Sequence, residues 1–176
     1  GNRTLWASGL FQFSEGMQSV MVDLEGLGYS FGFVNGHPRL AFQRLPDNGI
    51  TGNDAYATDT PHLVVVKVMQ RFGLSPSADT AEIWVDPDLA PGVAGLGTPD
   101  AGYAGSFAFN NEARPIASVQ VRSSNDTTLT DNWANFDEIR IGTSYDDVTV
   151  PAVPEPATLS LLLMGGLAVL RRYGSF

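Results

Sequence analysis

The chain has 176 residues, ten basic and nineteen acidic side chains, a formal net charge of −9 and no cysteine. That length suffices for one domain with a packed core, and the acidity repels phosphate, so nucleic acid is not an expected partner. The missing thiols exclude a disulfide framework, thiol nucleophiles and thiolate zinc sites. The acidic residues are scattered along the chain, which suits an exported soluble body better than an acidic tail.

The first residues, Gly1-Asn2-Arg3-Thr4, run straight into Leu5-Trp6-Ala7, with no methionine and no basic and apolar leader. The expectation is a signal peptide already removed, or an N-terminus that lies upstream. From there the body reads as β-structure. Leu5–Phe13 and Gln18–Leu24 are partly alternating apolar runs; in the second, Val20, Val22 and Leu24 point one way, Met21 and Asp23 the other. Tyr29–Val34 places Tyr29, Phe31 and Phe33 on one face. Asn35-Gly36 is a hairpin turn pair, and Arg39–Arg44 is the return strand. Leu45–Pro61, rich in Asp, Asn, Gly and Thr, reads as a long loop.

His62–Phe72 is β-branched and nearly continuous, which predicts a central strand. Asp79–Val85 alternates, with Ala81, Ile83 and Val85 against Glu82 and Trp84; that register turns Trp84 toward solvent or a groove. Proline and glycine break the pattern from Pro87 to Gly105, a second long loop. Pro115–Arg122 and Phe136–Ile141 close the body. In the last strand Asp137, Ile139 and Ile141 are expected on one face, and Phe136, Glu138 and Arg140 on the other, where Glu138 and Arg140 can pair. Asp137 would then need backbone N–H partners from a neighbouring loop. Nothing before residue 150 sustains a helical period. Many short strands between turn signals predict an all-β sandwich, with loops long enough for a jelly roll.

Three segments in this order, His62–Gly73, Asp79–Ala90 and Asn135–Val148, resemble the laminin-G-like, concanavalin A-like jelly rolls of exported bacterial proteins. The distinctive parts are the turn Trp84-Val85-Asp86-Pro87 and the closing strand Asp137-Glu138-Ile139-Arg140-Ile141-Gly142. The resemblance implies a β-sandwich over 1–150 and first strands upstream of Gly1. It also raises the glucanases of that fold class, which carry Glu-x-Asp-x-x-Glu on one strand. This chain has no such triplet, because Trp84 follows Glu82 and Ile139 follows Asp137. The expectation is therefore no catalytic residues and no enzyme. The alternative is a carbohydrate-active enzyme, a glycoside hydrolase or lyase with a noncontiguous site.

No cofactor is expected. Asp86-Pro87-Asp88 and Asp146-Asp147 offer carboxylates to calcium, but an Asp before proline also builds Asx turns, and no ligand set can be named. His37 and His62 are isolated in sequence, without a G-x-S-x-G serine motif, and read as turn or surface residues. Trp6, Trp84, Trp133, Tyr56 and Tyr103 offer stacking planes for sugar rings, although strand aromatics more often pack in cores.

The chain ends in Val153-Pro154-Glu155-Pro156, an uncharged run Ala157–Leu170 containing Gly165-Gly166, and then Arg171-Arg172. As a helix the run would measure about 21 Å at 1.5 Å per residue, short of the roughly 30 Å hydrocarbon core. It is apolar all round, unlike a helix docked on a soluble core, and the arginines would hold its far end in the cytoplasm. This pattern resembles the PEP-CTERM sorting signal, with a departure at Tyr173–Phe176, where many members carry further arginines. The resemblance implies that Pro154, Glu155 and Pro156 are recognition residues for an exosortase, and that Arg171 and Arg172 are the basic stop. The expected organisation is a sandwich over 1–150, a Pro-rich linker over 151–156, and a short hydrophobic helix with its basic end over 157–176. The expected function is an exported bacterial surface or extracellular-matrix protein, structural or glycan-associated. It would be anchored transiently in the inner membrane, with extracellular polysaccharide as its partner.

Overall fold

A computed structural model describes residues 2–42, 49–71, 79–89, 92–105, 116–125 and 132–149. The linker, the hydrophobic run and the sorting residues Pro154, Glu155, Pro156, Arg171 and Arg172 lie outside these, as do the ends of several predicted strands. No helix among the described residues is long and apolar enough to cross a membrane.

The body is all β: two antiparallel five-stranded sheets. In chain order the strands are β1 (Asn2–Phe13), β2 (Met17–Glu25), β3 (Tyr29–Val34), β4 (His37–Phe42), β5 (Gly49–Thr51), β6 (His62–Arg71), β7 (Asp79–Val85), β8 (Ala101–Gly105), β9 (Ser118–Asn125) and β10 (Ala134–Gly142). One sheet runs β10-β1-β6-β7-β8, the other β5-β4-β3-β2-β9. They stack so that β1 meets β2, β3 meets β6, β4 meets β7 and β5 meets β8.

Alternation decides what fills the space between them. Val20, Val22 and Leu24 point inward as predicted, with Phe31, Phe33, Leu40 and Phe42 beside them. From the other sheet come Phe11, Phe13, Val64, Val66, Ala81 and Ile83. Phe11 sits at the centre, wholly buried, with its ring edge-on to Phe31, Phe33 and Phe136 at 5.9, 5.9 and 5.6 Å. Between the two inward phenylalanines of β3, Gly32 has φ +147°, and a Cβ there would lie 2.1 Å from the Val20 carbonyl oxygen. Only glycine lets β2 and β3 close at that point. The Asn35-Gly36 pair turns β3 into β4 with φ of 50° and 77°, as a two-residue primed turn requires.

The central position predicted for β6 holds, since it lies between β1 and β7. Other expectations need correction. The predicted loop 45–61 contains β5, and the loop 87–105 contains a 3-10 turn, Gly92–Leu96, and β8. Trp84 does occupy the register opposite Ile83 and Val85, yet it is buried. The outer face of the first sheet carries a second apolar cluster, in which Trp6 stacks on Trp84 at 6.1 Å and Tyr145 meets Trp6 edge-on at 5.4 Å. Leu96 and Val148 complete the cover. Residues 143–149 form a strap over this face, held where the Ser8 hydroxyl donates to the Val148 carbonyl at 2.5 Å.

Asp137 does not face the core. The β1–β10 register slips between Ser8 (opposite Arg140) and Leu10 (opposite Asp137), and Glu138 has φ +52°. This β-bulge inserts one residue. Phe136, expected on the face opposite Ile139 and Ile141, therefore packs on the core with them, while Asp137 is exposed and accepts the N–H of adjacent Glu138 at 2.8 Å. The expected Glu138–Arg140 pair does form, at 2.7 Å.

Candidate binding groove

One end of the sandwich gathers the turns β1–β2 and β3–β4, the loop 52–61, and the chain leaving β7. Backbone hydrogen bonds lace these pieces together. Asn35 N–H donates to Gln18 O at 2.8 Å, Tyr56 N–H to Gly36 O at 2.9 Å, and Asp59 N–H to Phe13 O at 2.8 Å. Three segments remote in sequence thereby form one rim, and the chain leaving β7 joins it through Asp86, whose N–H donates to Leu63 O at 2.8 Å.

His62, at the start of β6, is the pivot beneath the rim. It is buried and packs against Phe13, Phe33 and Tyr56, so its expected surface role does not hold. Its Nδ1 lies 2.7 Å from Asp86 Oδ2, and its Nε2 lies 2.9 Å from the Ala57 carbonyl oxygen. Both partners are acceptors, so a ring donating from both nitrogens satisfies both. Asp86 directly follows β7 with φ +50°, and its other oxygen accepts the Leu63 N–H at 2.8 Å. The Trp84-Val85-Asp86-Pro87 turn thus locks β7 to β6. Asp100 does the same work nearby: it accepts the Val85 N–H at 2.7 Å and the Tyr56 hydroxyl at 2.5 Å. Burial, and then the Asp100 carboxylate, push the Tyr56 phenol far above its usual range, so it stays a donor.

Above this framework lies a groove of about 360 Å³, lined by Phe13, Ser14, Glu15, Tyr56 and Thr58 and by Gln18 and Asn35 from the two hairpins. Glu15, Gln18, Asn35 and Thr58 are exposed. Glu15 is the one charged residue of the lining among the described residues. Trp133 stands beside it, 39 % exposed; its N–H donates to Ser14 Oγ at 2.9 Å, and its carbonyl accepts the Ser14 N–H at 3.0 Å. Amides, hydroxyls and one carboxylate next to aromatic surface can bind a polyhydroxylated ligand of low charge.

The residues singled out from the sequence fare unevenly. Tyr56 and Trp133 come to this end; Trp6 and Trp84 are buried in the outer-face cluster, and Tyr103 is half-buried on β8 against Phe42. His37 opens β4 with Nδ1 buried and without a hydrogen-bond partner among the described residues. Two of the four carboxylates weighed for calcium, Asp86 and Asp147, bind backbone N–H groups. Asp86 is engaged as above, and Asp147 Oδ2 accepts the N–H groups of Ser144 at 2.8 Å and Thr143 at 2.9 Å, bonds that lower its pKa. No group of three or more potential metal ligands assembles among the described residues. Glu15 and Thr58 were not singled out, because in sequence they are only turn and loop residues; Gln18 was read only as the start of a strand, and Asn35 as a turn former alone.

No family, curated protein or solved structure matches this chain.

Proposed function

We propose that the chain is an exported bacterial surface or extracellular-matrix protein whose β-sandwich binds a neutral glycan in the rim groove. The observation that carries the binding is the lining: exposed Glu15, Gln18, Asn35 and Thr58 around half-buried Tyr56, with no base among them. Vicinal hydroxyls match amide and carboxylate acceptors, and a flat tryptophan beside them suits the apolar face of a sugar ring. A net charge of −9 disfavours uronate-rich or sulfated polymers. The reading is binding and not catalysis, since retaining and inverting glycosidases both need two carboxyl groups across one bond, and among the described residues the groove lining supplies Glu15 alone. In this account the body is a jelly roll of the concanavalin A/laminin-G-like kind.

Residues 153–176 support the sorting half of the proposal, in which an exosortase reads Pro154-Glu155-Pro156 and removes the hydrophobic run ahead of Arg171-Arg172. In an exosortase-positive host, Glu155→Ala is expected to abolish processing and leave the uncleaved chain in the inner membrane. Intact-mass spectrometry of fractionated cells checks this; a mature mass differing from wild type by no more than the substitution refutes it.

A further inference from the structure

Two five-stranded sheets have four outer strands, and three of them are protected. β5 has three residues and β8 five, and these two pack against each other and close their flank. β10 carries the bulge at Glu138 together with Asp137 and Arg140, devices that spoil a pairing edge. β9 has none of them. It has eight residues, Ser118–Asn125, with no proline and no lysine, and its one charge, Arg122, is taken up by Asp23 of β2 at 2.9 Å. The apolar register continues onto it unshielded. Val119 pairs with Leu24 and Val121 with Val22, so all four share the inner face. Yet Leu24 and Val22 are 1 % and 0 % exposed, while Val119 and Val121 are 44 % and 45 % exposed. Among the described strands nothing pairs with the free edge of β9.

We infer that β9 is a self-association edge whose partner is β9 of a second copy of this chain. The strand is complementary to itself. Antiparallel pairing on a two-fold axis at Val121 sets Val121 opposite Val121 of the second copy, Val119 opposite Ser123, and Arg122 opposite Gln120. The only charge on the strand therefore meets an amide, and no like charges face each other. The pairing satisfies both rows of free backbone groups, joins the two β9-edged sheets into one, and covers the exposed valines. The acidic bodies repel at longer range, so added salt strengthens this dimer, the opposite of an interface held by ion pairs.

The chain contains no cysteine, so a single introduced thiol reports cleanly. Directly opposed residues of an antiparallel pair lie about 4.5–5.5 Å apart at Cα, within disulfide reach. The full chain is studied in mild detergent that keeps its C-terminal run dispersed. Under mild oxidation, Val121→Cys is expected to cross-link to a homodimer at least about ten-fold faster than Val93→Cys, an even more exposed valine elsewhere. In sedimentation velocity the wild type should dimerise increasingly with salt, and Val121→Lys should be monomeric with unchanged circular dichroism. Equal cross-linking rates for the two cysteine variants overturn the proposal. So does a wild type that stays monomeric, which would leave the edge to a strand of another protein, or a dimer that survives Val121→Lys and so forms through the tail. Should Val121→Lys fail to fold, the cross-linking ratio decides alone.

Discussion

Asp86→Ala is expected to lower the unfolding free energy by about 2–4 kcal/mol, although Asp86 is exposed at the surface. Three losses combine. Buried His62 loses the acceptor at Nδ1, and the Leu63 N–H loses its partner. Alanine must also hold the φ of +50° that Asp and Asn tolerate better. Asp86→Asn keeps that backbone tolerance and an oxygen for Leu63, and should recover more than half of the loss. Urea unfolding of wild type and both variants measures this. An alanine variant as stable as wild type would show that the turn does not lock β6 to β7, and that the rim rests on its backbone bonds alone.

Phe11→Ala is expected to cost about 3–5 kcal/mol, the range for emptying an aromatic site in a rigid core. Phe11 is wholly buried and touches rings from both sheets, so neither sheet can collapse into the space alone. Phe136→Ala should cost clearly less. Its ring packs on Phe11 too, but it is only half-buried, on an edge strand. Equal costs would contradict the placement of the core centre at Phe11. Chemical denaturation of both variants under the same conditions gives the comparison.

The strands that face a single core were legible because their side chains alternate. Tyr29–Val34 and Asp79–Val85 match the structure residue for residue. β5 and β8 were not legible. Gly-Ile-Thr and Ala-Gly-Tyr-Ala-Gly are too short and too poor in apolar residues to show a period, and they are strands because Leu40 and Ile83 lie ready to pair with them. Trp84 illustrates a different limit. Its register was read correctly, but its burial depends on Tyr145 and Val148, about sixty residues further along, folding back over the sheet. At Asp137 a single bulge reversed the face, and no alternation rule can foresee an inserted residue.

The groove was the least legible part. Its polar side chains come from two turns, one loop and the first residues of β2, none of which carries a motif in sequence. Their convergence depends on long-range bonds such as Asp59 to Phe13 and Tyr56 to Gly36. The hydrogen-bonded network under it, built around buried His62, was equally hidden, since His62, Asp86, Asp100 and Tyr56 show no motif spacing. The C-terminal pattern proposed as a sorting signal is a linear string, so its reading depends on no long-range contact.

The central claim, a neutral-glycan site at the rim, is tested most directly by titration calorimetry of the full chain in mild detergent. The probes are neutral β-glucan and β-mannan hexasaccharides, with an oligouronate of equal length as the anionic counterpart. Wild type is expected to bind at least one neutral probe and not the oligouronate. The double variant Glu15→Ala, Asn35→Ala should lose at least about ten-fold in affinity, about 1.4 kcal/mol, while Val93→Ala, outside the groove lining, binds as wild type. Binding that prefers the oligouronate, neutral-glycan binding unaffected by the double variant, or no binding to any probe would contradict the account.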